Sequence, residues 1–222
     1  MQIRPAQRAD LVAASKVCAA AFFDETLFGD IIHPFRHEYP EDTYLYWLKY
    51  FRVAVGQADN HFFVATAPEA NGSSETVVAL AHWVRKRAKH SGDAAAPPEE
   101  PKEQEADKLP PNRAADPKNV DILERSDAFA SHHWSGPRAE SWYLSCLAVD
   151  PQCHGQGIGR QLVAWGFEQS DRDGACVSVI AADGKDTFYQ RCGFTTITGR
   201  AGDGEGNPLI DVPGGLILFR DV

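Results

Sequence analysis

Apolar positions along the chain fall into blocks of two periods, and the blocks alternate. After a short candidate strand at Ile3-Arg-Pro-Ala, residues Leu11, Ala14, Cys18, Ala21 and Phe22 recur at helical spacing, with Asp10 placed as N-cap. Phe23 to Pro34 is mixed in character and predicts no element. A second helix is expected from Pro40-Glu-Asp-Thr, with acidic residues in its first turn and an apolar face of Tyr44, Trp47, Leu48, Phe51 and Val55. Two strands follow, His61–Thr66 and Thr76–Val84, joined by a turn-rich hairpin loop over 67–75.

From His90 to Pro117 the pattern lapses. Leu109 is the only large apolar residue there, and six of the chain's 14 prolines gather among many charges. Such a stretch buries too little apolar surface to offset its ordering entropy, so the chain is expected to be one domain, 1–222, with a flexible insertion at about 88–118. A helix within 119–133 leads to Ser141–Val149, a strand apolar on both faces and therefore central. A helix ending near Asp173-Gly174, a strand at Cys176–Ala181, a short helix at 183–193 and a strand pair, Phe194–Thr198 with Leu216–Arg220, complete the set. Strand, helix, helix, strands, then helix–strand units make a mixed α/β sheet with helices on both faces.

Charge and cysteine content narrow the function classes. The net charge of −9, from 22 basic and 31 acidic residues, argues against general binding to nucleic acid or anionic lipid. No apolar run approaches the length that spans a bilayer. The five cysteines, 18, 146, 153, 176 and 192, show no metal-type spacing; they read as reduced thiols, so a cytoplasmic location and no metal site are expected.

Chemistry concentrates at the end of the central strand. Leu147-Ala148-Val149 runs into Asp150-Pro151, glycines follow at 155, 157 and 159, and Ile158, Leu162 and Val163 open a helix. Strand, glycine turn, helix is an anion-binding order, because small residues admit an anion to the backbone and the first-turn N–H groups point at it. The spacing is Gly-x-Gly-x-Gly, late in the chain, which fits a dinucleotide fold poorly, and Gly159-Arg-Gln lacks the Lys-Ser/Thr of a nucleoside-triphosphate loop.

Two stretches together resemble the Gcn5-related N-acetyltransferase (GNAT) superfamily. His154-Gly-Gln-Gly-Ile-Gly159 is similar to its Gln/Arg-x-x-Gly-x-Gly/Ala signature, with His154 in the unusual place, and Phe188-Tyr-Gln-Arg-Cys-Gly-Phe194 is similar to its Leu-Tyr-x-x-x-Gly-Phe motif. Arg4-Pro-Ala, Asp10 and Ala21-Phe22 also resemble the family's opening strand and helix. The resemblance implies a mostly antiparallel, twisted sheet of six to seven strands whose central pair splays to admit acetyl-CoA. It implies a pyrophosphate cradle of N–H groups from His154, Gly155, Gln156, Gly157, Ile158, Gly159 and Arg160. Strand edges at Leu147, Ala148 and Val149 would hold the pantetheine, with Asp183, Phe188 and Tyr189 against the cofactor.

The implied reaction is direct attack of a neutral amine on the thioester, with Tyr189 as acid to the departing thiolate. For the base, Glu25, Asp30, Glu140 and His82 all stand as candidates, as does ordered water; Glu25 is carried forward with Tyr189 as the catalytic pair. The resemblance implies acetyl-CoA and an unidentified amine as partners of a monomer or homodimer. A non-catalytic acyl-CoA-binding module, or an acyltransferase using a longer chain, are the alternatives.

Overall fold

The structure, a computed structural model, describes residues 1–68, 75–88 and 108–222. Seven strands form one sheet: β1 (Gln2–Pro5), β2 (Asn60–Pro68), β3 (Glu75–Lys86), β4 (Ser141–Val149), β5 (Cys176–Ala181), β6 (Thr196–Arg200) and β7 (Leu216–Arg220), in the order β1-β2-β3-β4-β5-β7-β6. Among the described residues only β4 and β5 pair in parallel; every other neighbour is antiparallel. The expected mixed, mostly antiparallel sheet is therefore present.

Helices α1 (Leu11–Ala21) and α2 (Tyr44–Ala54) cover one face, burying Leu11, Val17, Trp47, Leu48 and Phe51 against Val64 and Leu80. On the other face lie α4 (Ile158–Asp173) and α5 (Asp186–Cys192), while α3 (Ile122–Ala130) sets Ile122 beside Ala201 and Leu209 and Ala130 against Cys176, Ile217 and Phe219. Ile158, Leu162, Val163 and Tyr189 close over Trp83, Leu144, Val177 and Val179. Helix α4 lies so close to the sheet that a Cβ at Gly166 would stand 2.3 Å from the Trp83 ring, whose Nε1–H donates to the Leu162 carbonyl at 3.3 Å. Left-handed glycines stop both helices, Gly174 after α4 and Gly193 after α5, as the sequence anticipates.

Three expectations change. Asp10 does not cap α1; its carboxylate pairs with Arg4 at 2.7 Å and accepts the Gln7 N–H, closing the preceding turn instead. The unassigned stretch after α1 coils into a π-helical segment, Thr26–Ile32, whose Ile32 packs with Ala201 and Leu209 of the β6–β7 connection. Of the insertion expected over 88–118, residues 89–107 lie outside the described residues, as do 69–74 of the hairpin loop. Residues 108–118 run beside the turn that precedes α2, where the Phe35 N–H donates to the Ala114 carbonyl and the Asp116 N–H to the Ile32 carbonyl. Arg113 reaches Asp42 at 2.6 Å and Glu41 at 2.8 Å, while Ala114 and Ala115 are buried.

Strand β4 carries the decisive irregularity. It pairs with β3 from Val149↔Ala79 to Cys146↔His82, skips Ser145, and resumes at Leu144↔Trp83. The extra residue is a β-bulge, and it moves every following side chain to the opposite face. Trp142 and Leu144 therefore point toward α4, whereas Cys146 and Ala148 point toward α1 and α2. Pairing with β5 ends at the same place: four rungs run from Ser141↔Cys176 to Leu144↔Val179, and beyond them the strands part. The two central strands diverge as the resemblance implies.

Candidate active site

Two turns face each other beyond the carboxyl ends of the diverging strands, where a parallel pair in an α/β sheet opens a crevice. After β4, Asp150 accepts the Gln152 N–H at 2.8 Å and fixes a tight turn at Pro151–Cys153. Gly155 and Gly157 then take φ of +77° and +75°, a region that costs a residue with a Cβ about 1–2 kcal/mol. Gly159 answers a different need, since a Cβ there would meet Phe188 Cζ at 3.3 Å and the Leu147 and Val149 side chains at 3.7 Å.

The first backbone bond of α4 is donated by Gln161 to the Gly157 carbonyl at 3.2 Å. Among the described residues, the N–H groups of Gly155, Gln156, Gly157, Ile158, Gly159 and Arg160 donate to no backbone carbonyl. They stand at the positive end of a helix of 16 residues, an arrangement that could hold an anion. His154 differs from the rest of the expected cradle. Its N–H is directed at the Pro151 carbonyl at 3.4 Å, and its ring Nε2–H donates back to the Val149 carbonyl at 3.0 Å. The imidazole thus braces the turn.

Leu147 and Val149 pack on the α4 face with Phe188, while Ala148 faces α1 and α2. Across the crevice, Asp183 follows β5 and is exposed; the Gly214 backbone presses on it so closely that a Cβ there would lie 2.4 Å from its nitrogen. The Gly215 N–H donates to the Ala181 carbonyl, holding the β6–β7 connection over the end of β5.

Tyr189 is buried, with the Phe188 and Phe194 rings at 5.0 and 5.7 Å. Burial pushes its phenol well above the ordinary value, and nearby Cys146, Cys192 and Tyr143 add to the effect. It stays protonated throughout the physiological range and so keeps a hydrogen to donate. Glu25 stands at the head of the π-helical segment and accepts the Phe28 N–H at 2.8 Å. Burial raises its carboxyl above the usual range against the lowering effect of that bond, with Asp30 and Asp183 contributing.

The other base candidates are engaged elsewhere. Asp30 pairs with Arg36 at 2.6 Å. Glu140 sits at the opposite end of β4, bound to Arg85 at 2.8 Å and to the Ala88 N–H, which hold its carboxyl below the usual range. His82 is fully buried, stacked on Phe62 at 4.1 Å, and its Nε2–H donates to Asn60 Oδ1 at 2.6 Å. Burial pushes the imidazole down to about 3, so it is neutral. Sequence reasoning missed Tyr50 and Ser145, whose hydroxyls meet at 3.0 Å beside His82. Among the described residues no cluster of metal-ligating side chains exists, and no helix is long and apolar enough to cross a membrane.

Residues 122–196, from α3 to the start of β6, match the family model described as "Acetyltransferase (GNAT) domain". No curated protein matches the chain by sequence. Among solved structures, a histone acetyltransferase HPA2 and related acetyltransferase from Corynebacterium glutamicum is similar at a TM-score of 0.57 and 16% identity, over 99% of this chain and 95% of that one. PaiA N-acetyltransferase from Thermoplasma acidophilum, solved with coenzyme A, is similar at 0.51 and 13% identity, over 100% of this chain and 98% of that one. At such identities the likeness is one of fold.

Proposed function

We propose, from the match of residues 122–196 to a GNAT acetyltransferase domain and from the likeness of fold, that the protein is an acetyl-CoA-dependent N-acetyltransferase acting on a primary amine of a small molecule or protein. The observation that carries this reading is the coincidence of three features at one opening. Pairing of β4 with β5 stops at Leu144↔Val179, unpartnered amides follow β4 at Gly155–Arg160, and the buried Tyr189 stands on the α4–α5 side. The coenzyme A complex of the Thermoplasma protein, which shares the fold, agrees with the donor assigned.

In this reading the glycine-turn amides bind the pyrophosphate. The unpaired edge of β4 at Leu147–Val149 takes the pantetheine as an added strand, which leaves the thioester at the head of the opening. A neutral amine attacks the thioester carbon, and the tetrahedral adduct loses its ammonium proton and expels the CoA thiolate. Tyr189 donates a hydrogen bond to that sulfur. Because its phenol is a weaker acid than a thiol, the bond stabilises the anion and full proton transfer would be uphill. Glu25, whose carboxyl burial raises above the usual range, receives the amine's proton directly or through water.

Acetyl-CoA incubated with a panel of primary amines should release free thiol, and saturating acetyl-CoA should raise the melting temperature. Tyr189→Phe should lower kcat and leave the acetyl-CoA Kd nearly unchanged. Absence of both thermal shift and thiol release would defeat the proposal.

A further inference from the structure

The side chains on the α1–α2 side of the opening form a chain whose hydrogens can be placed. Asn60 Nδ2–H donates to Gln57 Oε1 at 3.0 Å, which turns Oδ1 toward His82 and makes Nε2 the protonated ring nitrogen. The buried ring is neutral, so Nδ1 carries a lone pair. Tyr50 Oη lies 3.4 Å from Nδ1 and 3.0 Å from Ser145 Oγ. With Nδ1 able only to accept, the Tyr50 hydroxyl donates to His82 and its oxygen accepts from Ser145. All donors are thereby directed away from Ser145, whose oxygen keeps its lone pairs for a further donor.

Ser145 is the bulge residue itself, half-buried, unpaired with β3 and first beyond the last rung to β5. Its hydroxyl therefore stands at the head of the opening, on the α1–α2 side of β4. Tyr189 belongs to the cluster on the other side.

We infer that Ser145 is a catalytic residue that accepts an N–H of the attacking amine, held in that role by Tyr50, His82 and Asn60 as positioning residues. A neutral amine must aim its lone pair at the thioester carbon, so its N–H groups point away and need acceptors. A serine whose own hydrogen is committed to Tyr50 can only accept, and so selects the reactive orientation. The donor to the thiolate and the acceptor for the amine then lie on opposite sides of one strand. This rests on the N-acetyltransferase reading above.

The test is steady-state thiol release from acetyl-CoA with the best amine of the panel, together with calorimetric acetyl-CoA binding. Ser145→Ala should lower kcat about tenfold, the fold-change of one neutral hydrogen bond, with the acetyl-CoA Kd unchanged. Ser145→Thr, which keeps the hydroxyl, should restore kcat to within about twofold, and Tyr50→Phe should cost a smaller factor of roughly three to five. A merely structural serine would shift melting temperature without this split between kcat and acetyl-CoA affinity or this rescue. Wild-type kcat in Ser145→Ala and Tyr50→Phe would overturn the inference while leaving the acetyltransferase reading intact. Failure of the unmodified protein to bind acetyl-CoA and release thiol would remove that reading, and this inference with it.

Discussion

Lowering the pH from 7 to 4 probes the environment of His82, because the folded and unfolded chains respond to it differently. In the unfolded chain the imidazole binds a proton below its ordinary value of 6.5; in the folded protein burial delays protonation until about 3. Between those values the unfolded state holds more protons. Stability from this group is therefore fully present above 6.5 and is lost as the pH falls toward 3. At about 1.4 kcal/mol per decade, the whole shift is worth about 5 kcal/mol, and about 3 kcal/mol of it falls between pH 6.5 and pH 4. Carboxylates also titrate in this range, so the measurement is a difference. Urea unfolding of the native protein and of His82→Gln should give curves that converge by about 3 kcal/mol as the pH drops to 4, since the glutamine does not titrate. Parallel curves would refute the burial argument. So would an imidazole that NMR shows titrating near 6.5 in the folded native protein, and that second readout holds even where the variant folds poorly.

Other perturbations test other parts of the site. Gly157→Ala must place a Cβ at φ +75°, so it should cost about 1–2 kcal/mol and weaken acetyl-CoA binding in calorimetry, because relief of the strain moves the amides. Gly166→Ala would force a methyl to within 2.3 Å of the Trp83 ring and should destabilise by about 1–3 kcal/mol or more, read as a lowered melting temperature. Glu25 has a folded value above its unfolded one, so its contribution is present at low pH and lost as the pH rises through the folded value. Glu25→Gln should accordingly gain stability over the native protein with rising pH in thermal melts, while losing turnover.

Most elements were legible because their periodicity is imposed by the surfaces they bury. Trp47, Leu48 and Phe51 recur on α2 since one stripe of that helix meets the sheet, and Gly174 and Gly193 stop helices where only a left-handed residue fits. The π-helical segment Thr26–Ile32 had no such signature. Its glycine and β-branched residues favour no local structure, and its shape depends on Ala201 and Leu209 from far along the chain. Asp10 was read as a cap because position alone suggests it, yet Arg4, six residues earlier, competes for the carboxylate. The bulge at Ser145 was hidden for a physical reason. A strand covered on both faces is apolar throughout, so a one-residue slip leaves no trace in its pattern. With the bulge unseen, Ser145 looked like one more strand position. Tyr50 lies off the apolar stripe of α2, and its only signal was a tyrosine one residue before Phe51.

The glycine turn and Tyr189 could be singled out in the sequence because their residue types and spacing resemble family motifs, and the roles given to them remain those proposed above. The base could not. Asp30, Glu140 and Glu25 differ only in what surrounds them: an arginine, an arginine with a backbone amide, and a half-buried turn with a backbone amide alone.

The four rungs between Ser141↔Cys176 and Leu144↔Val179 also have a mechanical consequence. Among the described residues they are the only strand pairing that joins β1–β4 to β5–β7, so the sheet is two wings on a short hinge, with α4 laid across both as a brace. A ligand strand inserted between the wings would complete the missing rungs and act as a clasp. Occupancy would then stiffen the sheet as a whole, and the energy of that stiffening would come from bonds the fold leaves unmade.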